Sequence, residues 1–140
     1  MLPVGLIDTG AILAILEVDD AFHSDCLESL LSVKMPLLTT EAVLTEVLHL
    51  VHRRNIAGAW SFVRSGAVTI HPMSDSDFPA LHGLMSQYTD RPMDFADATL
   101  VHLAARESIS LILTVDHDDF ETYRIGGRKR FTILPNRKSK

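Results

Sequence analysis

The sequence contains a single cysteine, Cys26, in 140 residues. One thiol cannot close an internal disulfide, so packing alone must hold the fold, as suits a reducing cytoplasm. Long apolar runs are also missing, and nothing approaches the roughly 20 residues that cross a bilayer. The apolar N-terminus lacks the basic residues that open a signal peptide, and Asp8 interrupts it. The expectation is a cytoplasmic protein that stays off the membrane. Glycine-rich phosphate loops, internal repeats and long linkers are absent. No lysine lies between Lys34 and Lys129, and the third apparent strand ends at Ile70-His71. A phosphoacceptor receiver domain needs an aspartate and a lysine at the ends of particular strands, so that class is excluded. Seven histidines are present, with His49 and His52 three residues apart on a predicted helix. No third ligand has suitable spacing, which argues against zinc.

What is present is ordinary in bulk. An apolar fraction of 46% with 22% charged residues belongs to an ordered globular chain. The length fits one domain over residues 1–140 and allows burial of roughly two-thirds of the unfolded surface. The net charge of −5 conceals an asymmetry. Residues 1–123 carry 18 acidic and 6 basic side chains, whereas residues 124–140 carry 7 basic ones and no acids. Arg124, Arg128, Lys129 and Arg130 are candidate phosphate contacts; the alternative is a solvated basic segment. Residues 135–140 are expected to form a flexible basic tail.

Strands and helices alternate along the chain. Val4–Ile7 reads as a buried strand ending at Asp8. A helix over Ala11–Leu16 follows, and Asp19 or Asp20 opens a second one through Leu31. After Pro36, Leu37-Leu38 reads as a brief strand. Thr39 or Thr40 caps a helix in which Val43, Leu44, Val47, Leu48 and Val51 recur at helical spacing. Another helix spans Ala57–Arg64, and a strand spans Ala67–Ile70 beyond Gly66. Ser74 caps a helix ending near Tyr88, and Asp94 opens one to Glu107. Leu111–Val115 is the clearest strand and is expected to end at Asp116. Phe120–Tyr123 reads as one helical turn, Gly126-Gly127 as a turn and Phe131–Ile133 as a last strand. Wholly apolar strands around Leu6 and Ile112 indicate strands covered on both faces, as in a parallel α/β sheet.

Four carboxylates stand in unusual places. Asp8 and Asp116 each follow an apolar strand, where ligands bind in open parallel sheets; the plainer role of each is a helix cap. Glu46 has Ala42, Val43, His49 and Leu50 as its helical neighbours, a costly setting for a charge that nothing compensates. Asp97 shares a face with Asp94, Leu100 and Val101 near a helix start. Asp94 itself reads well as an N-cap. Like charges gathered at one sheet edge call for a counter-charge, and Mg²⁺ or Mn²⁺ suits carboxylate oxygens.

Four stretches carry a family likeness. They are Leu6-Ile7-Asp8-Thr9-Gly10-Ala11, Thr40 to Val47, Asp94-Phe95-Ala96-Asp97-Ala98, and Leu113-Thr114-Val115-Asp116 followed by Asp119-Phe120. In this order they resemble the PIN-domain family, specifically the VapC-type ribonuclease toxins of toxin–antitoxin pairs. The resemblance implies a three-layer α/β/α sandwich around a mainly parallel sheet. It implies Mg²⁺ or Mn²⁺ held by Asp8, Asp97, Glu46 and Asp116, with Asp94 and Asp119 as further candidate ligands. Asp118 and Asp119 rival Asp116 for the fourth acidic role; Asp116 is preferred because it is expected directly after the strand. Thr9 and Thr114 match hydroxyl positions that hydrogen-bond the carboxylates or a water, and are candidate substrate contacts. RNA as substrate, a cognate antitoxin and a homodimer are implied as partners. The alternative is a non-catalytic RNA- or protein-binding module on the same fold.

Overall fold

The computed structural model describes residues 2–137. Five parallel strands form the central sheet: β1 (Leu2–Ile7), β2 (Val33–Thr39), β3 (Val68–Ile70), β4 (Leu111–Leu113) and β7 (Thr132–Leu134), in the order β3-β2-β1-β4-β7. The remaining strands, β5 (Arg124–Ile125) and β6 (Lys129–Arg130), pair as a short hairpin. Leu6, Ile7, Leu37, Ile112 and Leu113 are fully buried, as expected for strands covered on both faces.

Helices α1 (Thr9–Leu16), α2 (His23–Ser32), α3 (Glu41–Leu50), α4 (Ile56–Arg64), α5 (Phe78–Gln87), α6 (Phe95–Glu107) and α7 (His117–Thr122) cover the sheet. The result is a three-layer α/β/α sandwich. Helix α1 packs on α2 and α3, while α6 lies against α3 and α5. Successive crossovers run from β1 outward through β2 to β3, and the chain then returns to place β4 on the other side of β1. The order therefore reverses between β1 and β4, and a crevice opens at the carboxyl ends of the strands at such a switch point.

Several elements differ from expectation. Helix α2 begins at His23 rather than at Asp19 or Asp20, because the Asp20 carboxylate turns back to accept from the Phe22 amide at 2.8 Å. Strand β2 is longer than Leu37-Leu38 and contains Pro36, exposed in its first half. Proline cannot donate to a ladder, and the β1–β2 register shifts there, from Val4 opposite Lys34 to Leu6 opposite Leu38. Ser74 caps a 3₁₀ turn over Asp75–Asp77 that leads into α5. Helix α7 starts at His117, three residues before the expected turn.

The largest difference is the end of β4. Its pairing stops at Leu113, opposite Ile7 on β1 and Leu134 on β7. Thr114, not Asp116, is the first residue beyond the strand. The β-branched run Thr114-Val115 mimics strand sequence, but beyond Asp8 the chain has turned into α1 and offers no further ladder.

The first part of the expected tail is held in place. His117 Nε2 donates to the Pro135 carbonyl at 2.7 Å, and Arg137 reaches Asp118 at 2.6 Å and Glu121 at 3.1 Å. Residues 135–137 are thus fastened to α7, while Lys138 and Lys140 lie outside the described residues.

Candidate active site

Asp8 occupies the switch point. Its amide donates to Leu113 O at 2.9 Å, which extends the β1–β4 ladder by one rung and fixes the side chain at the strand edge. The residue also caps α1: Oδ1 accepts from the Thr9 amide at 2.7 Å. Oδ2 accepts from Thr114 Oγ1 at 3.0 Å, and Thr114 Oγ1 in turn accepts from the Asp116 amide at 3.0 Å. One buried threonine hydroxyl therefore couples the ends of the two central strands.

Asp97 enters from the first turn of α6. Asp94 caps that helix by accepting from the Asp97 amide at 2.8 Å. Asp97 Oδ2 accepts from the phenol of Tyr123 at 2.9 Å. Tyr123 is fully buried just beyond α7, with its ring edge-on to Tyr88 and Phe120 at centroid distances of 5.1 and 5.2 Å. This aromatic packing locks the donor in place, and the donor aims the carboxylate.

Glu46 completes the near side. Its Oε1 accepts from Thr9 Oγ1 at 2.8 Å. The inward stripe of α3 is narrower than its sequence suggests: Val43 and Val47 are buried, but His49 and Leu50 are exposed. Glu46 thus sits at the edge of the stripe, half-buried, with a hydroxyl to compensate it.

Burial and mutual repulsion dominate the electrostatics. Desolvation pushes Asp8 up to about 7, against the opposing hydrogen bonds from Thr9 and Thr114; the nearby charges of Asp116 and Asp94 add to the rise. Desolvation, then Asp8 and Asp94, push Asp97 up to about 8, with Tyr123 pulling the other way. Asp116 is raised as well, by burial first and then by Asp119 and Asp94. Among the described residues no ion pair reaches Asp8, Asp97 or Asp116.

Its two rivals are engaged elsewhere. Asp119 accepts from Arg91 Nη1 at 2.9 Å. Arg137 holds the exposed Asp118 below the usual carboxylate range. Asp116 shares the electrostatic neighbourhood of Asp8 even though two residues separate it from the strand.

The expected substrate contacts are placed differently. Thr9 and Thr114 each have one hydroxyl proton, and each gives it to a carboxylate of the site; neither is free to donate to a substrate. Arg124 Nη1 donates to the carbonyls of Glu121, Thr122 and Tyr123, closing the C-terminal end of α7. Arg128 and Lys129 flank a cavity with Ala104, Ala105 and Ser108, at the far end of α6 from Asp97. At 1.5 Å per residue the helix puts roughly 10–15 Å between them along its axis. Arg130 pairs within the same exposed hairpin. The arginines that do approach the acids are Arg91 and Arg137, which line a cleft of about 530 Å³ with Asp116, His117 and Asp119. Sequence reading missed Arg91 and Tyr123, and it placed Arg137 only as one member of the basic C-terminal segment. The cue available was the position of Arg91 just before the Asp94 cap; Tyr123 had none, because its contact with Asp97 is purely tertiary.

The donor set fits a hard divalent cation. Two buried carboxylates that repel one another and lack a basic partner are stabilised by such an ion. Among the described residues no three acidic, histidine or cysteine side chains form a ready-made ligand cage. Magnesium typically binds through one or two carboxylates and keeps its remaining coordination for water and phosphate, so a pair suffices.

The fold is thus an α/β/α sandwich with a cluster of carboxylates at its topological switch point. The PIN domain family model matches residues 5–125, and the chain belongs to that family. Ribonuclease VapC26 of Mycobacterium tuberculosis is 29% identical over 142 residues, covering 93% of this chain and 99% of that protein. The crystal structure of Mycobacterium tuberculosis VapC20, described as a Sarcin-Ricin loop cleaving toxin, superposes with a TM-score of 0.72 at 21% identity. That match covers 82% of this chain and 93% of the other and concerns the fold. Among the described residues no helix is long and apolar enough to cross a membrane.

Proposed function

We propose that this protein is a Mg²⁺- or Mn²⁺-dependent endoribonuclease that acts as the toxin of a toxin–antitoxin pair. The observation that carries the reading is the pair of buried aspartates, Asp8 and Asp97, both pushed towards neutrality at the strand edge with no basic partner among the described residues. A pure binding module has no use for two carboxylates held at such a cost. The near-full-length likeness to a protein named a ribonuclease supports RNA as the substrate.

Asp8 and Asp97 would hold the metal, with Glu46 and Asp116 flanking it. When bound, a divalent cation polarises the phosphodiester and favours deprotonation of water near neutral pH. Thr114 and the Thr9 amide fix both oxygens of Asp8, and Tyr123 fixes Asp97, so the pair keeps its aim without a ligand. Asp116 is only partly buried and has a raised proton affinity, which suits it to take a proton from the attacking water. The oxygen–phosphorus bond to water forms as the bond to the leaving ribose oxygen breaks, and that oxygen regains a proton. In the cleft that Asp116 lines, Arg91 and Arg137, paired with Asp119 and Asp118, are the guanidinium groups that a phosphate chain would meet.

The cytoplasm is the expected compartment, with a homodimer and a cognate antitoxin as its assemblies. The test of the activity is direct. Purified protein should cleave RNA with Mg²⁺ or Mn²⁺ and stop with EDTA. Asp8→Asn and Asp97→Asn, folded by circular dichroism, should be inactive. Full activity in EDTA or in either variant would refute the assignment.

A further inference from the structure

A second surface adjoins the acidic crevice and differs from it in character. Phe95 is the first residue of α6, between the Asp94 cap and Asp97, and the residue is 44% exposed. It borders a groove of about 440 Å³ between the N-terminal halves of α3 and α6. Ala42 and Ala96 provide an apolar lining, while Glu41, Glu46 and Asp94 stand along its edge, and among the described residues no basic side chain lines it. Glu46 and Asp94 belong to both the groove and the acidic site, so the two are continuous.

This combination selects its occupant. Three carboxylates exclude a phosphate group, because like charges a few ångströms apart repel. An uncharged planar ring is not excluded, and an exposed phenyl ring gains by covering its face. The cleft on the other side of Asp116 has its own acids but adds two guanidinium groups, Arg91 paired with Asp119 and Arg137 paired with Asp118. We propose that Phe95 and its groove form a nucleobase subsite. The base of a nucleotide next to the scissile phosphate stacks on Phe95, and the phosphate chain runs along the arginine side. This rests on the reading of the protein as an RNA nuclease and adds how a single strand is seated.

Stacking of a base on an aromatic side chain contributes roughly 1–3 kcal/mol by alanine substitution, or about 5- to 150-fold in affinity. The experiment uses the full chain and a short single-stranded oligoribonucleotide carrying 2-aminopurine, with Ca²⁺ for binding and Mg²⁺ for cleavage. Wild type should quench the 2-aminopurine fluorescence at one position beside the cleaved bond. Phe95→Ala should abolish the quenching and raise Kd and KM by that factor, and Phe95→Trp should restore both to within about threefold. Thermal stability and Mn²⁺ affinity should be unchanged in both variants. Unaltered quenching and KM in Phe95→Ala would overturn the proposal. So would a parallel loss of stability or Mn²⁺ affinity, which would make Phe95 structural, or loss of a protein partner with RNA binding intact. If wild type neither binds nor cleaves RNA with any divalent ion, the nuclease reading fails, and that outcome is distinct from all of these.

Discussion

Replacing Asp97 with asparagine should make the metal-free protein more stable at pH 8 while destroying its site. The folded carboxyl holds its proton up to about pH 8, whereas the unfolded one releases it near the ordinary value of 3.8. Between those limits the unfolded chain binds fewer protons than the folded chain. Stability is therefore fully present below about pH 4 and is lost as pH rises through 8. Each pH unit of displacement is worth about 1.4 kcal/mol. Asp8 and Asp97 relieve one another when either is protonated, so about half of the full effect is expected, on the order of 2–3 kcal/mol. Asparagine keeps an oxygen to accept from the Tyr123 phenol and cannot ionise. Urea unfolding in EDTA at pH 5 and pH 8 measures the difference. Wild type should lose stability between the two, and Asp97→Asn should lose less, so that the gap between them is smaller at pH 5 than at pH 8. Millimolar Mg²⁺ should restore wild type at pH 8 and have little effect on the variant. Equal wild-type stability at both pH values, or an Asp97→Asn protein less stable at pH 8, would refute the reasoning.

Other perturbations separate the roles of neighbouring groups. Tyr123→Phe removes one hydroxyl from a buried contact and should weaken Mn²⁺ binding by about tenfold or more, measured by calorimetry. Asp116→Asn should reduce cleavage at least a hundredfold, while Asp118→Asn, whose carboxylate is exposed and tied to Arg137, should stay within about twofold. Gly10→Ala would bring a Cβ to 2.6 Å from Val115 Cγ2, beside Thr114. It should cost about 1–3 kcal/mol in urea unfolding, and a second change, Val115→Ala, should recover most of that. Neutralising Arg128, Lys129 and Arg130 together should leave cleavage of a short oligonucleotide unchanged, since that hairpin lies at the far end of α6.

What the sequence disclosed about the site depended on how locally each feature is encoded. Asp8 was legible because an apolar run ends on it and a helix begins just after it. Asp94 was legible because an aspartate after Pro92-Met93 and before an alanine-rich stretch is a cap by composition alone. Gly66 was legible as a stop, and it takes a positive φ of 89°. Asp116 was harder: Thr114-Val115 has strand-like side chains, and only the neighbours of β4 decide that pairing stops at Leu113. The basic C-terminal segment misled for a related reason. Its charge is visible in composition, but the β5–β6 hairpin carries Arg128, Lys129 and Arg130 away from the acids. Arg91, a single residue in unremarkable surroundings, and Arg137, at the far end of the same basic segment, are brought to them by tertiary packing.

Two turns show how little the local code says about the fate of a carboxylate. Ser74-Asp75-Ser76-Asp77 and Asp94-Phe95-Ala96-Asp97 share the same capping pattern, with a short polar residue followed three later by an acid. In the first, Asp77 closes the box: Oδ2 accepts from the Ser74 amide at 2.9 Å, His102 and Arg106 add their donors, and the carboxyl falls well below its ordinary range. In the second, Asp94 caps the helix, but Asp97 turns its Oδ2 onto Tyr123 and shares a buried crevice with Asp8, so its proton affinity rises instead. One pattern thus produces a carboxylate that stabilises the fold as an ion and another that the fold tolerates as an ion only with a counter-charge. Asparagine at the two positions should have opposite signs in metal-free protein at pH 8, with Asp77→Asn lowering the unfolding midpoint and Asp97→Asn raising it. A shift of the same sign at both would mean that Asp97 is an ordinary helix cap, and the case for a cation between Asp8 and Asp97 would lose its physical basis.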